Sequence, residues 1–451
     1  MTRRIWGIET EYGITCAASD PAASPLDAEH AARELFRLLV ERERTTNVFL
    51  PNGGRLYLDV GAHPEYATAE CDMLADLLAH DAAGQHMLAD LATQANERLA
   101  REGVSGVIHL LKNNVDSAGN SCGCHENYLL RRDSRFRDMA DALVSFFVAR
   151  QPLVGAGWVR PDGSYALSQR ADHMDDAVSA ATTTTRPIIN TRDEPLAHAR
   201  DFRRLHVIVG DSNVAEGSTL LKVGMTHLLL NALEAGADIT GLTFADPLAT
   251  LRASSADLDG TGRYELRDGR RLSIVEYLGE IAERVSAYPA TSDPLESAVW
   301  DLWRRGMTAL ASGDWSGIDT ELDFAIKHRL LAQVRERAGA DVAPAMLIRM
   351  ELAYHDITSA GLGEALAAAG RLRRFTSPEQ RRRALTHPPA TTRAHLRGSV
   401  ITAAKRARRS VTCDWLHVRL NDSRLPTVTL GDPLATSDEG IAEILADIEQ
   451  E

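Results

Sequence analysis

Two glutamates a single residue apart, Glu9 and Glu11, stand in the stretch Arg3 to Ile14, RRIWGIETEYGI. Read as a strand, this stretch sends alternate side chains to opposite faces. Trp6, Ile8, Thr10, Tyr12 and Ile14 share one mostly apolar face, and Gly7, Glu9, Glu11 and Gly13 share the other. Two like charges held this close repel unless a counter-charge lies between them. The flanking glycines leave room above the strand for something large and cationic. A hard divalent cation carrying phosphate oxygens meets both demands, because Mg²⁺ takes carboxylate oxygens and shares its shell with nucleotide phosphates. A solvent-facing strand edge with no ligand is the other reading of the same residues.

Arg55 to Val60, RLYLDV, repeats the pattern. Leu56, Leu58 and Val60 make an apolar face, while Arg55, Tyr57 and Asp59 project from the other. His63-Pro64-Glu65-Tyr66-Ala67-Thr68 follows and adds a carboxylate. Glu65 and Thr68 have opposite parity, so the chain must bend to point both at one ligand, and Gly61 and Pro64 are the expected bend. His125-Glu126-Asn127 is a polar cluster at a strand start, to be read either as a site or as a structural network. Arg204 and His206 share one face of a strand over 203–211. Guanidinium matches phosphate oxygens bidentately, so arginine-bearing strands suit a polyphosphate; a surface salt bridge is the plainer reading of any one of them.

Helices are expected to stand behind these strands. Apolar periodicity predicts helices over 27–42, 73–101 with Gly84 interrupting it, 135–150, 217–235 and, in pieces, 272–338. Trp300 and Trp303 read as core. A basic amphipathic helix over 392–409 ends in Lys405, Arg406, Arg408 and Arg409, and 411–420 reads as a strand containing Trp415. His387-Pro388-Pro389 marks a linker, which divides the chain into residues 1–385 and a small C-terminal domain, 386–451.

The chain has 451 residues, 44% of them apolar and 25% charged, the profile of a globular protein, and its length allows one large domain plus a smaller one or two to three ordinary domains. A net charge of −13 argues against nucleic acid as the main partner. No apolar run approaches the ~18 residues a membrane helix needs, and the N-terminus lacks a signal-peptide core, so a cytoplasmic location is expected. The cysteines Cys16, Cys71, Cys122, Cys124 and Cys413 are odd in number and irregular in spacing, and read as reduced thiols.

Several of these stretches together resemble the Pup ligase family. They are GIETEYG at 7–13, RLYLDVGAHPE at 55–65, YATAEC at 66–71, KNNVDSAGNS at 112–121, GCHENYL at 123–129, RPIINTRDEP at 186–195, RRLHVIVGDSN at 203–213 and CDWLH at 413–417. The resemblance runs from the first strand almost to the end. It implies an α+β fold, with a large antiparallel sheet like that of glutamine synthetase and of other carboxylate–amine ligases, helices behind it and a small C-terminal domain. It implies ATP and Mg²⁺ as cofactors. The partners it implies are Pup, the prokaryotic ubiquitin-like protein, and lysine-bearing target proteins marked for proteasomal degradation. By the same resemblance Asp59 is the catalytic base, Glu9, Tyr57 and Glu65 are the magnesium positions, and Arg55, Thr68 and Trp415 are the ATP positions. Strand parity and local chemistry add Glu11, His125 and Arg204.

Three departures from the family pattern stand out: the run Thr182 to Thr185, Leu196 after Asp193-Glu194-Pro195, and Cys122 before Gly123-Cys124-His125. The other readings are a depupylase or Pup deamidase, a small-molecule carboxylate–amine ligase and a silent adaptor. The wording of the first two motifs, and the lack of a long insertion between them, favour the ligase. The basic cluster Lys405 to Arg409 is expected to steer an acidic, disordered partner such as Pup, with a helix end that suits cations as the alternative.

Overall fold

A computed structural model describes residues 3–18, 25–59, 61–116, 119–132, 136–181, 185–192, 194, 196–339, 342–358 and 361–450. Thr182 to Thr184, Asp193, Pro195 and Val60, on which parts of the sequence reading fall, lie outside them.

The organising element is an eight-stranded sheet. From one edge to the other its strands are Asp176–Ser179, Pro187–Asn190, Phe202–Val207, Cys124–Arg131, Trp6–Glu11, Pro64–Ala67, Arg55–Leu58 and Asn47–Phe49. Only the first two are parallel; every other neighbouring pair is antiparallel. The architecture is α+β, as expected, and the Trp6–Glu11 strand lies near its centre.

Alternation decides the two faces. Trp6, Ile8, Leu56, Tyr66, Tyr128, Leu205 and Val207 are buried on the back of the sheet. Burying a side chain of this size stabilises the fold by about 1.5–3 kcal/mol, and the packing helices complete that burial. The Glu216–Glu234 helix is buried almost throughout, with Leu74–Arg101 and Phe136–Val154 packed against it. Glu126 also points to the back, where Arg150 grips both its oxygens at 2.7 and 2.9 Å. Its neighbours His125 and Asn127 therefore face the front, and the polar triplet is split between structure and site.

Four local expectations change. The first strand ends at Glu11; Tyr12 is fully buried, and Gly13–Ala17 leaves the main sheet to pair with Val107–Leu111. The 74–101 helix runs unbroken through Gly84, where a Cβ would stand 2.1 Å from the Tyr66 ring. Glycine is there for close packing, not for a break. The stretch 411–420 is two strands, Val411–Cys413 and His417–Leu420, joined by a turn in which Asp414 accepts from the Leu416 and His417 amides. Trp415 thus sits on a turn.

The fourth change concerns parity. Gly61, at φ +96°, turns the chain between the Arg55 and Pro64 strands, ahead of Glu65. The register is broken later. Thr68 is still bonded to Ile8, yet Trp6 pairs with Cys71 instead of residue 70. One extra residue lies between those pairings, and such a bulge re-aims side chains.

Residues Ala394–Ala407, Val411–Cys413, His417–Leu420, Val428–Thr429 and Glu439–Glu449 gather around their own apolar cluster, including Leu396, Val400, Val418, Leu420, Ile441 and Ile444. This unit is clasped to the sheet through Glu70. Arg393 donates to Glu70 at 2.9 Å and Arg397 grips both Glu70 oxygens, with all three residues buried.

Candidate active site

The front of the sheet collects the polar residues by register. Glu9 lies opposite His125 on one neighbouring strand and Ala67 on the other. Glu11 lies opposite Glu65, and Glu65 opposite Tyr57. Three adjacent strands thereby bring Glu9, Glu11, Glu65 and Tyr57 to one patch. Asp59 joins it from the turn after the Arg55–Leu58 strand, closed by the bonds Asp59 N–H to His63 O and Ala62 N–H to Asp59 O. Carboxylate oxygens of Glu11, Asp59 and Glu65 lie within 4.8 Å of one another.

The electrostatics are those of crowded negative charge. Burial, reinforced by Glu9 and Glu11, pushes the Glu65 carboxyl well above its ordinary range; Glu65 is only 3% exposed. Burial also works against the charge on Glu9, but the bond from His125 and the charges of His206, His125 and Arg204 hold it down to about 2. Glu11 likewise ends at about 2, where burial is outweighed by His63, His125, the Gly123 backbone and Arg170. Burial and the nearby Glu9 and Glu65 push the Tyr57 phenol up, so Tyr57 stays neutral and donates to Glu65.

A second trio faces the same side. His125 Nδ1 is 3.5 Å from Glu9, and the His125 and His206 rings meet edge to face with centroids 5.1 Å apart. His206 stands two residues after Arg204, on the same face, a parity that was legible in the sequence. Burial holds the His206 imidazole down to about 3, and its Nε2 has no hydrogen-bond partner among the described residues. Arg204 donates to Asn127 at 3.2 Å and reaches Glu194 at 3.5 Å.

Beside this patch lies a pocket bordered by Gly7, Glu9, Thr68, Arg204, Arg393 and Trp415. Gly7 keeps its floor open, because a Cβ there would meet Thr68 Oγ1 at 3.3 Å. The Thr68 hydroxyl accepts from the Ile8 amide, which fixes it over the first strand. Trp415 packs edge to face on Phe49 at 5.0 Å, with the Arg397 guanidinium 5.0 Å from its ring. Arg55 lines a neighbouring cavity that also includes Phe49 and Trp415, lies over the Tyr57 ring at 4.1 Å, and donates to Asn47. Leu196, one of the departures, forms part of the pocket wall and accepts from Arg393 through its carbonyl.

The structure thus brings Glu9, Glu11, Tyr57, Asp59, Glu65 and His125 together, with Thr68, Arg204 and Trp415 on the adjoining pocket and Arg55 in the next cavity, which shares Trp415. The sequence named His206 only for sharing a face with Arg204, and did not point to His63 or the Glu70 clasp. The basic cluster does not stand as one free patch: Lys405 pairs with Glu43 at 2.8 Å, and Arg409 with Asp422 at 2.9 Å and Asp447 at 3.2 Å. The charge available for steering an acidic partner is correspondingly smaller than expected.

A mixed α+β molecule with an acidic, histidine-flanked patch at the centre of a mostly antiparallel sheet has the frame of an enzyme that handles phosphate. The family model described as Pup-ligase protein matches residues 4–419, and the chain belongs to that family. It is 50% identical over 456 residues to the Pup–protein ligase of Xylanimonas cellulosilytica, covering 99% of each chain. It is 48% identical over 452 residues to the Pup–protein ligase of Jonesia denitrificans, covering 99% of this chain and 98% of that one. Among solved structures, it matches the complex between the prokaryotic ubiquitin-like protein Pup and its ligase PafA. The TM-score is 0.92 at 39% identity, over 100% of this chain and 93% of that one. The Pup ligase PafA in complex with ADP matches with a TM-score of 0.85 at 40% identity, over 94% of each chain. Among the described residues no helix is long and apolar enough to cross a membrane.

Proposed function

We propose that this chain is an ATP-dependent ligase that joins the C-terminal glutamate of Pup to lysine side chains of target proteins through an isopeptide bond. The observation that carries this reading is the gathering of Glu9, Glu11, Tyr57, Asp59 and Glu65 beside a pocket edged by Thr68, Arg204 and Trp415. The full-length likeness to Pup–protein ligases supports it.

A carboxylate is a poor electrophile because oxide is a poor leaving group. Transfer of the ATP γ-phosphoryl group to the Pup glutamate side chain replaces oxide by phosphate and releases ADP. The target lysine then attacks the acyl carbon, phosphate leaves, and the amide is formed. Free lysine has a pKa of about 10.4 and is protonated at neutral pH, so a base must take its proton. Asp59 is that base in this reading: it stands on a turn at the rim of the acidic patch, where a second macromolecule has access. Arg55, Thr68 and Trp415 bind the nucleotide, and Arg204 faces its phosphates.

The residues fit Mg²⁺. Glu65 is buried and pushed up by the neighbouring charges of Glu9 and Glu11, a crowding that a divalent cation relieves. Glu9 and Glu65 would hold the ion, with the neutral Tyr57 reaching it through water. When bound, the ion supplies neutralisation of phosphate charge. His125 orients Glu9.

In the same reading residues 386–451 are a small C-terminal domain that carries Trp415 to the nucleotide, and the protein works in the cytoplasm. Incubation with ATP, Mg²⁺, Pup ending in glutamate and a lysine-bearing protein should give a slower-migrating conjugate on a denaturing gel. Release of Pup from preformed conjugates, with no conjugation, would reverse the assignment to the hydrolytic relative.

A further inference from the structure

Glu11 faces a second group of side chains, on the side of the patch away from Glu9. His63 Nδ1 lies 3.5 Å from Glu11 Oε2, and His63 Nε2 lies 3.8 Å from Cys122 Sγ. Ligand atoms of Glu11, His63 and Cys122 all lie within 4.8 Å of one another. An ion takes one nitrogen of the ring, Nε2 beside Cys122, so Glu11, which now lies at Nδ1, would turn to meet it. Carboxylate oxygen, imidazole nitrogen and thiol sulfur are donors of the zinc kind, whereas magnesium takes oxygen.

The spacing fits a bridging ion. Zinc–sulfur and zinc–nitrogen bonds of about 2.3 and 2.0–2.1 Å at a tetrahedral angle place the two donors about 3.6 Å apart. The observed 3.8 Å is within a few tenths of an ångström of that edge.

The three donors are also held in place by their backbones. The Cys122 N–H donates to Asn114 O, and its carbonyl accepts from Asn114 Nδ2 and Arg170 Nη1. The Glu11 N–H donates to Gly123 O, next to Cys122, and the His63 carbonyl accepts from the Asp59 N–H. Gly123 has no side chain where a Cβ would stand 2.7 Å from Glu11 Oε1, so the carboxylate lies directly against the Cys122 segment. Cys122 is 2% exposed, while His63 and Glu11 are half-buried, which leaves the approach open from the His63 side. The charges around the group are Asp59 and Glu65, which favour a cation, and Arg170, which opposes one.

The geometry points to a thiophilic divalent-cation site, formed by Cys122, His63 and Glu11, that takes zinc or cobalt and is separate from the position between Glu9 and Glu65. Binding forms a metal–sulfur and a metal–nitrogen bond, and the Cys122 thiol proton and the extra proton that His63 holds beside Cys122 and Glu11 both go to solvent. One consequence rests on the function proposed above: Glu11 borders both positions, so a zinc ion held here draws it from the magnesium side and slows ligation.

Cobalt reports the site without reference to activity. Titration of the full chain with Co²⁺ should give a near-ultraviolet thiolate-to-cobalt charge-transfer band that saturates at one ion per chain and is displaced by Zn²⁺. Cys122→Ser should abolish the band, Cys413→Ser should keep it, and His63→Ala should weaken apparent affinity at least tenfold. A band that survives Cys122→Ser, or no band at equimolar Co²⁺, overturns the site. Glu9→Ala separates the two readings, since it should leave the cobalt band intact while weakening nucleotide binding. Unchanged nucleotide binding with the band present would remove Glu9 from the magnesium position and leave the cobalt site standing. Under that function, Cys122→Ser should also remove at least tenfold of any zinc inhibition.

Discussion

Asp59 enters the patch from a turn, whereas Glu9, Glu11 and Glu65 come from paired strands. A strand residue is aimed by its register and the sheet holds it; a turn residue can approach an incoming chain. That difference fits a division between holding a metal nucleotide and taking a proton from lysine. Asp59→Asn preserves size and removes basicity. It should leave nucleotide affinity within about twofold and lower conjugation by at least about 100-fold, in line with the loss of a general base. Wild-type conjugation by this variant would remove Asp59 from its role. Glu9 differs, because its carboxylate is already held ionised at about 2 by His125, His206 and Arg204 against its burial. Glu9→Ala should therefore weaken Mg²⁺-dependent nucleotide binding by tenfold or more, measured by titration at limiting Mg²⁺. An unchanged affinity would place the ion elsewhere.

The Leu74–Arg101 helix shows how an element can serve the site from behind. Gly84 lets the Tyr66 ring into its surface, and Tyr66 belongs to the strand that also carries Glu65. The Tyr66 hydroxyl accepts from Asn52 at 3.0 Å, so the strand is fixed at both ends of that side chain. Gly84→Ala should favour the helix by up to about 1 kcal/mol in propensity. Overpacking against Tyr66 opposes this by about 1–3 kcal/mol. The net expectation is a melting temperature a few degrees lower, and a variant at or above the parent Tm would show that the ring can move aside. The bulge between Thr68 and Cys71 belongs to the same scale. It re-aims the chain beyond Thr68 as it leaves the sheet, and Glu70 turns to the C-terminal helix.

The whole molecule is joined across Glu70. Burial alone would neutralise this carboxyl, yet Arg397 and Arg393 hold it down to about 2. A folded pKa below the unfolded value of about 4.3 means that the clasp contributes its full stability above that pH and loses it as pH falls toward 2. Glu70→Gln leaves two buried guanidinium groups without their carboxylate, a loss of about 3–5 kcal/mol at pH 7. Denaturant midpoints should show that gap at pH 7 and its narrowing as pH falls from about 4 toward 2; a pH-independent gap would mean that the pair acts by packing alone. Because Arg397 also lies against the Trp415 ring, the same variant should weaken nucleotide binding.

Parity of the side chains was set by the sequence alone. Alternation in RRIWGIETEYG and RLYLD separates the carboxylates from the apolar face whatever the strands pair with, because that periodicity is a property of the extended backbone. Helix positions followed from the same kind of local rule, and so did the basic character of the helix that ends near Arg409. What the chain could not declare was register. Only the antiparallel pairing puts Glu11 opposite Glu65 and Glu65 opposite Tyr57, and only the folded chain brings Thr68, of the opposite parity, to the pocket, with its hydroxyl on the Ile8 amide. Glu70 looks like any surface glutamate until residues more than 300 positions later fold back onto it. Cys122 and His63 carry no mutual spacing signal either. Their convergence with Glu11 depends on how one turn and one loop pack beside the end of the first strand, a contact between segments distant in sequence that no local pattern encodes.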